Sequence, residues 1–138
     1  MQTDFEIQTA GPGLYEFTRI AARWVQACDD GLLTLMVRHT SASLLIQENA
    51  DPDVQTDLIA WLERSIPPSN DPRMRYLRHT QEGPDDMPAH LKAAVLPVSL
   101  QIPVQRGLMR LGTWQGLYLV EHRTAPHHRK IAAHFAKD

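Results

Sequence analysis

Apolar runs in this chain come in groups, with helical segments inserted between the groups rather than alternating with them one for one. That order restricts the fold more than any composition figure does. Residues 3–9 alternate Phe5 and Ile7 with polar neighbours, and Gly11-Pro12-Gly13 separates them from a second alternating run at 14–17, so the two read as an opening hairpin. Residues 32–37 and 43–46 are continuous apolar runs with polar ends, the pattern of buried strands. Further strands are expected over 98–104, 108–111, 117–121 and 130–135, punctuated by Gly107 and by Gly112-Thr113-Trp114-Gln115-Gly116. The latter reads as a hairpin turn, or as a wall on which a flat ring stacks. Helical spacing occurs from Thr18, a candidate N-cap, through Ile20, Trp24 and Cys28 to the stop at Asp29-Asp30-Gly31. It recurs after Asp51-Pro52, where Val54, Leu58, Trp61 and Leu62 form one face ending near Ser65, and again from Asp86 to about Val95 with Pro88 in the first turn. Strands in runs with two or three inserted helices predict an α+β fold, an antiparallel-rich and β-sandwich-like single domain over residues 1–138.

A chain of 138 residues suits one domain, able to bury roughly two-thirds of its unfolded surface. Its single Pro-rich polar stretch, IPPSNDPR at 66–73, is short enough to be a loop. Composition of 43% hydrophobic and 22% charged residues excludes disorder, and a net charge of −2 gives no general attraction for nucleic acid. Cys28 is the only cysteine, so no intrachain disulfide forms, and MQTDFEIQT lacks the basic and apolar regions of a signal peptide. No apolar run approaches the ~20 residues that span a bilayer. These features predict a cytoplasmic protein with neither nucleic acid nor membrane as a partner.

The chemistry concentrates in residues 75–92, RYLRHTQEGPDDMPAHLK. Asp86 and His90, four apart on a helix, project from one face, and His79 and Glu82 lie just upstream across the Gly83-Pro84 turn. His39 sits where an apolar strand ends, a position that presents a side chain from a rigid scaffold. His39, His79 and His90 with Asp86 form a candidate set for a divalent metal, zinc or magnesium. Glu48, Asn49 and Asp51 form a second polar cluster at a strand-to-helix junction, for which capping explains Asp51 alone. Toward the C-terminus Arg123 and Arg129 offer a bidentate grip on phosphate, or belong to a solvated charge run. His127 and His128 are adjacent and point apart in a strand, which argues against a shared ion.

Three ordered blocks, HTSASLLIQENADPDVQTDL, then H-x-x-E-G with D-x-P-A-H-L-K-A, and finally LGTWQGLYLVEHR, resemble the signature of the YjbQ-like family over nearly the whole chain. The resemblance implies a β-sandwich-like α+β protomer, a homotrimer, and a polar site near the subunit interface. It implies thiamine-phosphate synthase activity, secondary to another role, in which a pyrimidine methyl pyrophosphate joins a thiazole phosphate and pyrophosphate departs. Carried onto this chain, His39, Glu82 and His90 are expected to be catalytic. Ser41, Glu48, Asn49, Lys92, Trp114 and Gln115 are expected to hold a small phosphorylated metabolite, joined by Arg123, which comes from the basic C-terminal run and not from the family match. Thr40, Asp51, His79 and Glu121 also match. The sequence departs from the family at His122-Arg123-Thr124-Ala125-Pro126-His127-His128, where many members are shorter and more acidic. Two other readings use the same residues: a metal-dependent hydrolase, and a non-catalytic trimer that binds a metabolite or metal.

Overall fold

The computed structural model describes residues 1–138. Its strands are β1 (Gln2–Thr9), β2 (Gly13–Glu16), β3 (Gly31–Val37), β4 (Ala42–Glu48), β5 (Ser99–Gln105), β6 (Leu108–Met109), β7 (Gln115–Glu121) and β8 (His127–Lys137). Its α-helices are α1 (Thr18–Val25), α2 (Pro52–Ser65) and α3 (Asp86–Val95), with one 3₁₀ turn at Pro72–Met74. Every strand pairing is antiparallel, in two sheets ordered β1-β8-β3-β5-β6 and β2-β7-β4. The expected α+β sandwich-like class is what forms.

Alternation decides which side of each strand is buried. Phe5 and Ile7 of β1, Leu33, Leu35 and Val37 of β3, Ile102 and Val104 of β5, and Ile131, Ala133 and Phe135 of β8 enter one core cluster with Leu44, Leu117 and Leu119 of the other sheet. Gly31 opens β3 where a Cβ would lie 2.2 Å from the Ala136 carbonyl oxygen, so only glycine allows that strand to lie against β8 there.

The expected hairpins do not form. β1 pairs with β8 and β2 with β7, so Gly11, at φ +130°, carries the chain from one sheet to the other. Residues 110–114 likewise connect β6 of the larger sheet to β7 of the smaller, and Gln115 and Gly116 of the expected turn open β7. A glycine-rich turn fixes a change of direction, but the partner strand is chosen by long-range burial, which local pattern does not encode. Two helix faces also differ from expectation. In α1 Trp24, and Cys28 just beyond it, pack against the core as expected, but Ile20 is 44% exposed, Ala21 and Val25 are the buried residues, and Phe17 rather than Thr18 takes the capping position. In α2 only Leu62 is buried and Trp61 is 61% exposed, although Asp51 caps the helix as expected by accepting from the Asp53 N–H at 2.9 Å. No helix is long and apolar enough to cross a membrane.

Candidate metal centre

The residues that gather at one end of the sandwich come from α3, from the turn before it, and from two loops. α3 begins at Asp86, so Asp86 and His90 stack one turn apart, and the Gly83-Pro84 turn folds residues 79–82 back over the helix start. One ligand atom from each of His79, Asp86 and His90 lies within 4.8 Å of the other two. Nε2 of His79 is 2.7 Å from Asp86 Oδ2, and Nε2 of His90 is 3.3 Å from the same oxygen. Glu82 Oε2 is 3.1 Å from His79 Nε2.

The surroundings orient two of these groups. His90 Nδ1 lies 3.0 Å from the Thr40 carbonyl oxygen, which can only accept, so Nδ1 carries the proton. In the neutral ring Nε2 is then a lone pair aimed at the Asp86 carboxylate. Two lone pairs face each other there unless a cation or a proton stands between them. Asp86 Oδ1 accepts from Arg123 Nη1 at 2.7 Å, which turns Oδ2 toward the imidazoles. Arg123 also donates through Nε to Asp85 at 2.8 Å and through Nη2 to the Glu82 carbonyl.

Charge follows from these contacts. Burial alone would raise Asp86, but its hydrogen bonds and the Arg123 charge outweigh burial and hold it below the usual carboxylate range. Asp85 shows the same balance: burial opposes ionisation, while the Thr124 N–H and Arg123 bring it to about 2. The Asp86 hydrogen bond raises His79 above the ordinary histidine value.

His39 stands outside the trio. Its Nε2 accepts the Lys130 backbone N–H at 2.8 Å and so completes the β3–β8 ladder, while burial, then the Arg129 charge, lowers its basicity. The side chain expected to be the strand-end ligand is therefore engaged by the larger sheet. Arg129 is not a phosphate grip. It is 3% exposed and bound to Glu121, which is fully buried, and to Ser41. Burial opposes ionisation of Glu121, but Arg129 and Thr9 outweigh it and its carboxyl stays below the usual range. Lys92, also buried, donates to Glu63 at 2.6 Å on a different face of α3. His122 is 3% exposed and bonded to Ser43 Oγ at 2.8 Å, and burial with the nearby Lys92 charge drops it to about 4.

Glu48, Asn49, Trp114 and Gln115 lie elsewhere. Glu48 pairs with Gln115 at one end of β7, whereas Ala42 pairs with Glu121 at the other, about 20 Å away along a strand. There the Glu48 carboxylate accepts from the Asp51 N–H, Asn49 N–H donates to the Trp114 carbonyl, and Gln115 Oε1 accepts from the Gly112 N–H. Sequence reading overlooked the Arg123 grip on Asp85 and Asp86, and the Thr40 carbonyl. A basic side chain beside a glutamate at a strand end carries no signal of which carboxylate it will meet, and a carbonyl carries none at all.

An antiparallel two-sheet α+β protein with two imidazoles and one carboxylate converging beside its sheet ends is the class that fold and site define. The chain belongs to the family described as UPF0047 protein YjbQ-like, whose model matches residues 3–138. It is 47% identical over 130 residues to a UPF0047 protein of Synechocystis, covering 93% of this chain and 86% of that one. It is 46% identical over 105 residues to UPF0047 protein YjbQ of Salmonella typhimurium, covering 76% and 72%. Among solved structures, an uncharacterized YjbQ/UPF0047 family protein from Clostridium acetobutylicum superposes with a TM-score of 0.84 at 30% identity, covering 97% of this chain and 99% of that one. The conserved hypothetical protein TT1486 from Thermus thermophilus gives 0.83 at 31%, with the same coverage.

Proposed function

We propose that this protein is a divalent-metal-dependent enzyme acting on a small phosphorylated metabolite, with His79, Asp86 and His90 holding the ion. The observation that carries the reading is the Thr40-fixed Nδ1–H of His90, which leaves an Nε2 lone pair facing a carboxylate 3.3 Å away. Ligand atoms of a four-coordinate zinc ion with bonds near 2.0–2.1 Å stand about 3.4 Å apart, so the trio needs little movement to fit. Two imidazoles and one carboxylate favour zinc or another transition metal over magnesium, which prefers an all-oxygen shell. A bound ion of this kind polarises a phosphoryl oxygen or lowers the pKa of a bound water. Glu82, beside His79 and 64% exposed in its side chain, would serve as the general base, and the ion would supply the Lewis acidity.

Hydrolysis fits these residues better than the coupling of a pyrimidine methyl pyrophosphate to a thiazole phosphate. Departing pyrophosphate needs free positive charge. Arg123, Arg129 and Lys92 are each committed to a carboxylate within the protomer. Thiamine-phosphate synthase-type activity, as a secondary activity, draws its support from the family resemblance and relies on the ion alone for that charge.

A homotrimer in the cytoplasm completes the proposal. Its support is the outward face of β3, where Met36 is 50% exposed, together with exposed Trp61. Light scattering that returned the 15.6 kDa monomer mass would remove the trimer. For the site, metal analysis of purified protein and Co²⁺ titration of wild type and His90→Ala are the test. One tight ion per chain, lost in the variant, is expected; a wild type that takes up no ion sinks the reading.

A further inference from the structure

A carboxylate buried behind the trio touches neither imidazole, yet it is tied to two of the three ligands. Glu121, 0% exposed, ends β7. Through Oε1 it accepts from Arg129 Nε at 2.9 Å, and Arg129 Nη2 in turn donates to Ser41 at both the carbonyl oxygen, 3.2 Å, and Oγ, 3.0 Å. Ser41 adjoins Thr40, whose carbonyl receives the His90 Nδ1–H. Through Oε2 Glu121 accepts the backbone N–H groups of His122, 3.0 Å, and Arg123, 3.2 Å. The Arg123 side chain then reaches Asp86 Oδ1. Thr9 Oγ1 fixes the same carboxylate from β1.

We infer that Glu121 is a positioning residue for the candidate metal centre, holding the peptide at 40–41 through Arg129 and the backbone of Arg123 directly, and thereby setting the His90 tautomer and the Asp86 rotamer together. The metal part of this inference rests on the reading above; the tautomer part does not. The physical reason is that both arms end on groups with soft torsions. A carbonyl in a strand-to-strand loop and an arginine at a strand end would otherwise sample several orientations, and an imidazole follows whichever acceptor it finds. A buried ion pair, hydrogen-bonded through Arg129 Nε and Nη2 and through both Glu121 oxygens, removes that freedom, a role that need not add to stability.

The experiment reads tautomer and affinity separately. Nitrogen-15 NMR of metal-free protein, recorded above the histidine titration range, reports whether His90 carries its proton on Nδ1. Wild type is expected to be wholly Nδ1–H, and Glu121→Gln a mixture. Co²⁺ affinity is expected to fall by about 10–100-fold in that variant. Because Glu121→Gln leaves Arg129 buried without its counter-charge and is open to misfolding, Ser41→Ala provides the second variant. It keeps the ion pair, loses only the Oγ contact, and is expected to shift both readouts by a smaller amount. A core variant of comparable melting temperature, Leu35→Val, is expected to move neither. A folded Glu121→Gln or Ser41→Ala protein with the wild-type His90 tautomer and Co²⁺ affinity would overturn the inference. If wild type binds no Co²⁺, the metal reading falls, and the His90 tautomer in the variants alone decides whether Glu121 positions the ring.

Discussion

The two ends of β7 are built on different principles. At the Glu121 end lie all eight of the buried polar or charged residues: Thr9, Ser41, Ser43, Asp86, Lys92, Glu121, His122 and Arg129. At the Gln115 end the polar groups are the exposed or half-buried Glu16, Glu48, Asn49 and Gln115, with Trp114 62% exposed. Burying ions costs several kcal/mol each before pairing returns it, so a fold does not gather them by accident. The Glu121 end carries a pre-shaped arrangement of donors and acceptors, whereas the Gln115 end offers an aromatic face and carboxylates that accept from nearby groups, Glu16 from the Thr18 hydroxyl and Glu48 from the Asp51 N–H.

That contrast breaks if substitutions at the two ends cost the same. The largest effect is expected on metal binding. Asp86→Ala should lower Co²⁺ affinity on the order of 100-fold or more, since it removes a ligand, and Gln115→Ala should change it by less than about 3-fold. Isothermal titration of the two variants side by side decides, and equal losses would erase the distinction. Stability comes next. Arg129→Ala strands a buried carboxylate and should cost about 3–5 kcal/mol, against less than about 0.5 kcal/mol for Trp114→Ala at the exposed turn. Urea unfolding midpoints measure both.

Acid sharpens the comparison further. His122 is held at about 4 in the folded protein against 6.5 for the free side chain. As pH falls from 6.5, the unfolded chain binds this proton before the folded one does, so the stability that neutral His122 contributes above pH 6.5 declines and is lost by about pH 4. The shift corresponds to about 3 kcal/mol. His122→Gln should flatten that part of the pH–stability curve, and an unchanged slope between pH 6.5 and 4 would show that another group titrates there. A smaller loss than that of Arg129→Ala is expected at α2, where Asp51→Ala removes an exposed cap and should cost about 1 kcal/mol in the melting curve.

The outcome for particular residues separates what the sequence by itself determined from what tertiary structure decided. Asp86 and His90 were legible because four residues on a helix always meet on one face, and the Asp51-Pro52 start of α2 and the 86–95 limits of α3 were legible for equally local reasons. Strand existence followed from alternation, and with it the α+β class. Which strand pairs with which was decided only in three dimensions. The Gly11 and Gly112–Gly116 turns look like hairpins along the chain yet link different sheets, because each strand pairs where its apolar face is buried rather than with its neighbour in sequence. His39 was assigned to the metal from its place at a strand end, but that strand belongs to the larger sheet, where the Lys130 N–H claims the ring. Glu121, Arg129 and Thr40 come from three separated segments, and the sequence gives no distance between them. A periodic pattern encodes the direction of a side chain relative to its own backbone; the groups it meets are fixed by long-range packing.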